Sequence, residues 1–304
     1  FKIAEKFNII DKPNNRSSHT ELTIRGAGVV FPIMGIIGFE ATPRYSPTGH
    51  SGTLDSGFLG NYGFLVGLLI IAIVSFWDDV RPLPPKIRML VQAAAVALMV
   101  FPVGAEWWIV ALAMVLIIGT INAYNFMDGI NGITALYSLV AVGTALVMLK
   151  LRYKLVLGES MWLALGGSLL AFSFYNVRKK ARCFSGDVGA VSVAFVLSYW
   201  IYGLVISNHN LIYVLFLGVY GLDSVATIAL RLYRKENILE AHRSHLYQFL
   251  ANEKGWSQVK VSSIYALTQA VLNGLILYNS FLALMFFLLL TVGYISLRFK
   301  WAEQ

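Results

Sequence analysis

Nine stretches of this chain are too long and too apolar to sit on the surface of a soluble domain, and a tenth is of the same character but shorter. They run roughly over 29–39 (the short one), 62–77, 88–104, 107–124, 133–149, 160–176, 188–206, 210–230, 261–278 and 280–297. An α-helix rises about 1.5 Å per residue, so about 20 apolar residues span the hydrocarbon core of a bilayer. Backbone polar groups find no water there, and a helix satisfies them within one segment. Only 13% of the residues are charged and 57% are hydrophobic, against about 25% charged in soluble chains. The expectation is an all-α, polytopic membrane helix bundle of about ten transmembrane helices, forming a single domain over residues 1–304. Residues 40–61 are Gly-, Ser- and Pro-rich and read as an atypical polar loop, a poor continuation of a membrane helix. The chain begins at Phe1 rather than Met, so an upstream segment, such as a further N-terminal transmembrane helix, is expected to be missing.

Lys and Arg orient the bundle, because cytoplasmic loops carry an excess of them. With a cytoplasmic N-terminal segment and ten crossings, twenty of the 24 Lys and Arg fall in loops on the N-terminal side. Only Arg44, Lys150, Arg152 and Lys154 fall on the other. The expected location is the inner (plasma) membrane. The sole cysteine, Cys183, excludes an internal disulfide and a Cys-based metal site. Most of the 26 glycines fit close helix packing in lipid.

Four polar clusters then stand out, each at the end of an apolar run and all on the cytoplasmic face. Ionisable groups at membrane depth are costly and usually mark a site. Asp78-Asp79 sets two carboxylates side by side near Lys86 and Arg88. Adjacent carboxylates repel unless a cation lies close, which suits a metal or a general base. Asn122, Asn125 and Asp128 recur every third residue, on one helical face, with Asn131 and two glycines following. A helix cap needs one such residue rather than three in phase, and amide and carboxylate oxygens are the hard donors Mg²⁺ takes. Asp187, after Gly186, opens another crossing as an N-cap or as a metal ligand where helix N–H groups face an anion. His242-Arg243-Ser244-His245 reads either as a basic loop near anionic lipid or as a diphosphate clamp, Arg being the bidentate element. Asp223, inside an apolar run, pairs on this reading with a neighbouring polar group such as Tyr220 or Arg231. Together the parts describe phosphoryl transfer between a soluble nucleotide donor and a lipid acceptor.

In sequence order these motifs resemble the polyprenyl-phosphate N-acetylhexosamine-1-phosphate transferases. The resemblance starts at Asp11-Lys12-Pro13-Asn14-Asn15-Arg16-Ser17-Ser18-His19 and Arg25-Gly26-Ala27-Gly28. It runs on through Asp78-Asp79, Lys86-Ile87-Arg88, Gln92, Asn122 to Gly132 and Phe184 to Asp187, and ends at His242 to His245. It implies ten or eleven helices, a cytoplasmic-face active site, and attack by polyprenyl (undecaprenyl) phosphate on the sugar-linked phosphate of a UDP-sugar, releasing UMP. By similarity Asn125 and Asp187 are Mg²⁺ ligands (Mn²⁺ as a substitute) and Asp78 is the base, supported by Asp79 and Asp128. Asn122, Asn131, Lys86, Arg88, His242, Arg243 and His245 contact substrate, Asn131 at the uracil. Consecutive histidines are absent, so the chain resembles the branch acting on simple UDP-N-acetylhexosamines, GlcNAc first. Other UDP-sugars (deoxy or diacetamido hexoses) are the alternative. The product would feed surface polysaccharide, lipopolysaccharide or cell-wall glycan. The expected partners are the UDP-sugar, the polyprenyl phosphate and the membrane, with a homodimer as an open option and no nucleic acid. A transporter, whose acids would lie near the midplane with repeated halves, and a non-catalytic scaffold are the competing classes.

Overall fold

The structure is a computed structural model that describes residues 10–11, 23–42, 57–151, 153, 156–237 and 243–302. Among the described residues ten long helices carry the fold: α1 (Val30–Glu40), α2 (Gly57–Val80), α3 (Pro85–Val100), α4 (Trp107–Met127), α5 (Ile133–Lys150), α6 (Glu159–Asn176), α7 (Gly186–Asn208), α8 (Gly218–Tyr233), α9 (Gln258–Tyr278) and α10 (Ser280–Ala302). Each apolar stretch read from the sequence is helical. Among the described residues eight spans are long and apolar enough to cross a membrane; α6 is not among them, and the apolar helix over Ala27–Glu40 is shorter. The chain is thus a polytopic membrane bundle of helices. One boundary differs from the sequence reading: residues 57–61 belong to α2 rather than to the polar loop. Once a helix is nucleated, each added residue gains a hydrogen bond, which offsets the weak propensity of Gly57 and Gly60.

The core forms around α7. In its most apolar window 89% of the residues are buried, against 11% in α10, because α7 is apolar on every face and packs α2 on one side and α4 on another. Phe64 of α2 stacks on Tyr199 of α7 at 4.5 Å. Helices α1 and α6 pair, as do α5 and α9, while α10 packs on α9 and α8 at the edge. Polar groups inside the bundle answer one another. Gln269 of α9 accepts from the Tyr137 hydroxyl of α5, and its amide donates to Asn273, whose own amide reaches Thr144 of α5. Without water, such pairings fix which helices meet.

The only sheet among the described residues is a two-residue antiparallel pair, β1 (Ile10–Asp11) with β2 (Thr23–Ile24). Ile24 also bridges to Cys183 in parallel. The Phe184 N–H donates to the Ile24 carbonyl at 2.8 Å, and the N–H groups of Ala27 and Gly28 donate to Phe184 and Ser185 at 3.0 Å. This stitching seats the segment after β2 against the start of α7. The approach requires glycine at both contacts: a Cβ on Gly28 would lie 2.3 Å from the Gly189 Cα.

Candidate active site

The ends of α2, α4 and α7 and the start of α3 meet in one cleft. Its walls include Asp78, Arg88, Gln92, Asn122, Asn125 and Asp187, over a floor of Ile71, Val74 and Val191. The neighbouring acids of the doubled pair split into two roles. Asp79 has a fully buried side chain and accepts the N–H groups of Asp187 at 2.9 Å and Val188 at 3.0 Å. It therefore caps α7 from another helix, satisfying donors that the helix cannot pair internally. Gly186, at φ 70°, makes room for this, since a Cβ there would sit 2.5 Å from the Asp79 Oδ2. Asp78 instead faces the cleft, held by the Leu83 N–H and by Arg88 Nη1 at 3.2 Å.

Arg25 ties the acids together. Its Nε lies 2.8 Å from Asp79 Oδ1 and its Nη2 donates to Asp187 Oδ1 at 2.9 Å. The second oxygen of Asp187 faces Arg88 Nη1 at a looser 3.6 Å. Asp78, Asp79 and Asp187 are close enough to repel one another, and two guanidiniums face the three carboxyls.

Asp128 follows α4 but turns from the Asn122 and Asn125 wall. It accepts from the hydroxyls of Ser185 and Thr134. Packing around its carboxyl raises it above the usual carboxylate range, and the two hydroxyls and Arg25 only partly offset this. Asn122 donates to Gln92 Oε1 at 2.8 Å. Asn131 is 4% exposed; its amide donates to the carbonyls of Arg178 and Lys179 and its own carbonyl accepts from Ser262. It locks the turn after α4 to the basic 178–182 loop. Lys86 is exposed on the first turn of α3. Burial pushes the Cys183 thiol up to about 11, so it stays protonated and inert.

His242 lies outside the described residues. Arg243 is exposed, and His245 is 2% exposed, with Nδ1 3.2 Å from Asp223. Neither lines the cleft. Their turn meets the end of α4 through Tyr247, whose hydroxyl donates to the Phe126 carbonyl at 2.8 Å. Asp223 pairs with neither Tyr220 nor Arg231, because the donors that surround it come from Thr227, the 245–247 turn, α9 and α10.

The structure thus gathers Asp78, Arg88, Asn122, Asn125 and Asp187 into the cleft, sets Asp79 and Asp128 behind it, and leaves Lys86 and Asn131 elsewhere. Sequence reasoning gave no role to Arg25, Ser185 or Tyr247. A signal for Arg25 was present, an arginine directly before a Gly-x-Gly that permits close backbone approach.

A membrane helix bundle with a polar, carboxylate-rich cleft at its helix ends is the class this geometry defines. Residues 61–205 match glycosyl transferase family 4. The chain is 28% identical over 269 residues, 82% of its own length and 71% of the relative's, to the probable undecaprenyl-phosphate N-acetylglucosaminyl 1-phosphate transferase of Bacillus subtilis (strain 168). It is 28% identical over 165 residues to the phospho-N-acetylmuramoyl-pentapeptide-transferase of Lactiplantibacillus plantarum, covering 52% of this chain and 48% of that one. The protein of the same name from Thermotoga petrophila is 22% identical over 66% of this chain and 71% of its own. The family match covers just under half of the chain, and the similarity to the Bacillus subtilis relative extends over 82% of it.

Proposed function

We propose that this protein transfers an N-acetylhexosamine-1-phosphate, GlcNAc-1-phosphate first, from its UDP-sugar to undecaprenyl or a similar polyprenyl phosphate. An oxygen of the lipid phosphate attacks the sugar-linked phosphorus of the donor; the bond to the bridging oxygen breaks, and UMP leaves with that oxygen. The observation that carries the reading is the cleft itself, with Asp78, Arg88, Asn122, Asn125 and Asp187 converging from four helices. The activity for which the Bacillus subtilis relative is named supports it, and His242-Arg243-Ser244-His245 favours a simple UDP-N-acetylhexosamine over a larger donor.

The residues fit a divalent cation of the Mg²⁺ type. Among the described residues no three His, Cys, Asp or Glu side chains form a complete metal cage. Mg²⁺ needs none, since it binds one or two carboxylates and keeps waters or substrate phosphates. Asp187 and Asn125 would hold it. When bound, the ion would neutralise charge on the transferring phosphoryl group. Arg88 orients the acceptor phosphate, and Asp78 holds Arg88 while standing ready to take a proton from that phosphate. Asp79 and Arg25 fix Asp187 from behind. The cleft faces the cytoplasm of the plasma membrane, the side that Lys and Arg favour, where UDP-sugars are soluble.

Purified protein with Mg²⁺, undecaprenyl phosphate and a panel of UDP-sugars tests the reading. UMP release is expected, greatest with UDP-GlcNAc. No UMP from any UDP-sugar would overturn it.

A further inference from the structure

Asp223 interrupts the apolar run of α8 and is 0% exposed. A buried carboxylate costs several kcal/mol unless donors surround it, and here they come from four separate parts of the chain. Thr227 of α8 donates at 3.2 Å, Tyr265 of α9 at 2.5 Å and Tyr294 of α10 at 3.0 Å. The rest come from three consecutive residues of one turn: His245 Nδ1 at 3.2 Å, the Leu246 N–H at 3.1 Å and the Tyr247 N–H at 3.4 Å. The three helices hold the carboxylate still, and the carboxylate holds the turn.

The turn is short and packs into the core through Leu246 and Tyr247. It is a single helical turn, Leu246–Gln248, with His245 at its N-cap. Its far side carries the Tyr247 hydroxyl to the Phe126 carbonyl and lays that ring against Gly129, where a Cβ would meet the Tyr247 oxygen at 2.2 Å. Asp223 therefore sets where the turn meets the segment that follows Asn125. It also sets the His245 ring. A carboxylate can only accept, so Nδ1 carries the proton, and the bond fixes both the ring plane and the direction of Nε2.

We infer that Asp223 is a positioning residue for the donor site, orienting the His245 ring and its turn for the diphosphate of a UDP-sugar. The inference rests on the function proposed above. A carboxylate that fixes the tautomer and plane of a working imidazole is worth about 10- to 100-fold in affinity or activity when removed.

The test is a double-mutant cycle on UMP release, with Asp223→Asn and His245→Ala, each checked for folding by circular dichroism. Asp223→Asn should lower kcat/KM for the UDP-sugar by about 10- to 100-fold, with KM for undecaprenyl phosphate unchanged. In the His245→Ala background the same substitution should cost less than about threefold, because its route is already gone. An equal cost in both backgrounds, or a matching rise in KM for the lipid, would reduce Asp223 to a packing residue and overturn the inference. If Asp223→Asn does not fold, Tyr265→Phe trims one donor; its smaller loss, about threefold to tenfold, should likewise vanish in the His245→Ala background, and additivity there overturns the inference equally. Full activity of His245→Ala would also overturn it. Wild-type protein that releases no UMP from any UDP-sugar would sink the donor reading itself, a separate outcome.

Discussion

Replacing Asp79 should unfold the site before it touches the chemistry. The side chain is wholly buried and each of its oxygens faces only donors: Oδ1 meets the Asp187 N–H and Arg25 Nε, and Oδ2 meets the Val188 N–H. Removing a helix cap costs about 0.5–2 kcal/mol. Breaking a buried ion pair from one side costs about 3–5 kcal/mol, since the partner charge is stranded. Arg25 keeps Asp187 and is one-third exposed, which holds the sum for Asp79→Ala to about 3–5 kcal/mol. Asparagine offers no rescue, because either amide orientation turns an NH₂ toward an N–H donor, so Asp79→Asn should lose nearly as much. Asp78→Asn should lose only about 1–2 kcal/mol, because Arg88, its ion-pair partner, is 38% exposed and can turn to water. Reversible unfolding in mixed micelles, followed by tryptophan fluorescence, reads these differences, with UMP release measured on the same samples. An Asp79→Ala protein within about 1 kcal/mol of wild type but devoid of turnover would refute the capping role and return Asp79 to the chemistry.

Asp187→Asn should cut UMP release about a thousandfold or more with the fold intact, the loss expected for a residue that clamps a metal on the transferring phosphate; near wild-type release at ordinary Mg²⁺ would remove that assignment. The raised carboxyl of Asp128 carries a sign. Its contribution to stability is complete below the unfolded value of about 3.9 and is lost as pH rises through the higher folded value. Asp128→Asn lacks that loss, so its melting temperature relative to wild type should climb with pH across that window, and a pH-independent difference would contradict it. Gly28→Ala drives a Cβ into the backbone of Gly189 and Ser185 and should cost about 1–3 kcal/mol while also lowering turnover, because the shift carries Arg25 with it. A Gly28→Ala protein that melts with wild type would show that the two segments can part freely. With Cys183 changed to Ser, cysteine at Asn237 should be labelled only from the cytoplasm and at Asn208 only from outside; the reverse pattern would invert the topology.

The helices were legible because the signal is local. A run of apolar residues with the length of a bilayer must become a helix whatever its neighbours do, since each backbone group has to be satisfied within the segment. Composition and run length therefore determined the class, the ten helices and the polar residues at their ends. They also put Asp78, Asn122, Asn125 and Asp187 on one list, as helix ends alternating across the bundle would. What the sequence could not separate was Asp78 from Asp79, adjacent residues of one type. Only packing against α7 turned one into a buried cap and left the other in the cleft. The three-residue spacing of Asn122, Asn125 and Asp128 was a helical argument, and it lapses at Asp128, where α4 has ended. Arg25 reaches Asp187 across 162 positions, and Asp223 meets Tyr294 across 71. No periodicity encodes such pairs. They follow from which helices lie side by side, and a buried charge takes whichever donors that packing brings within reach.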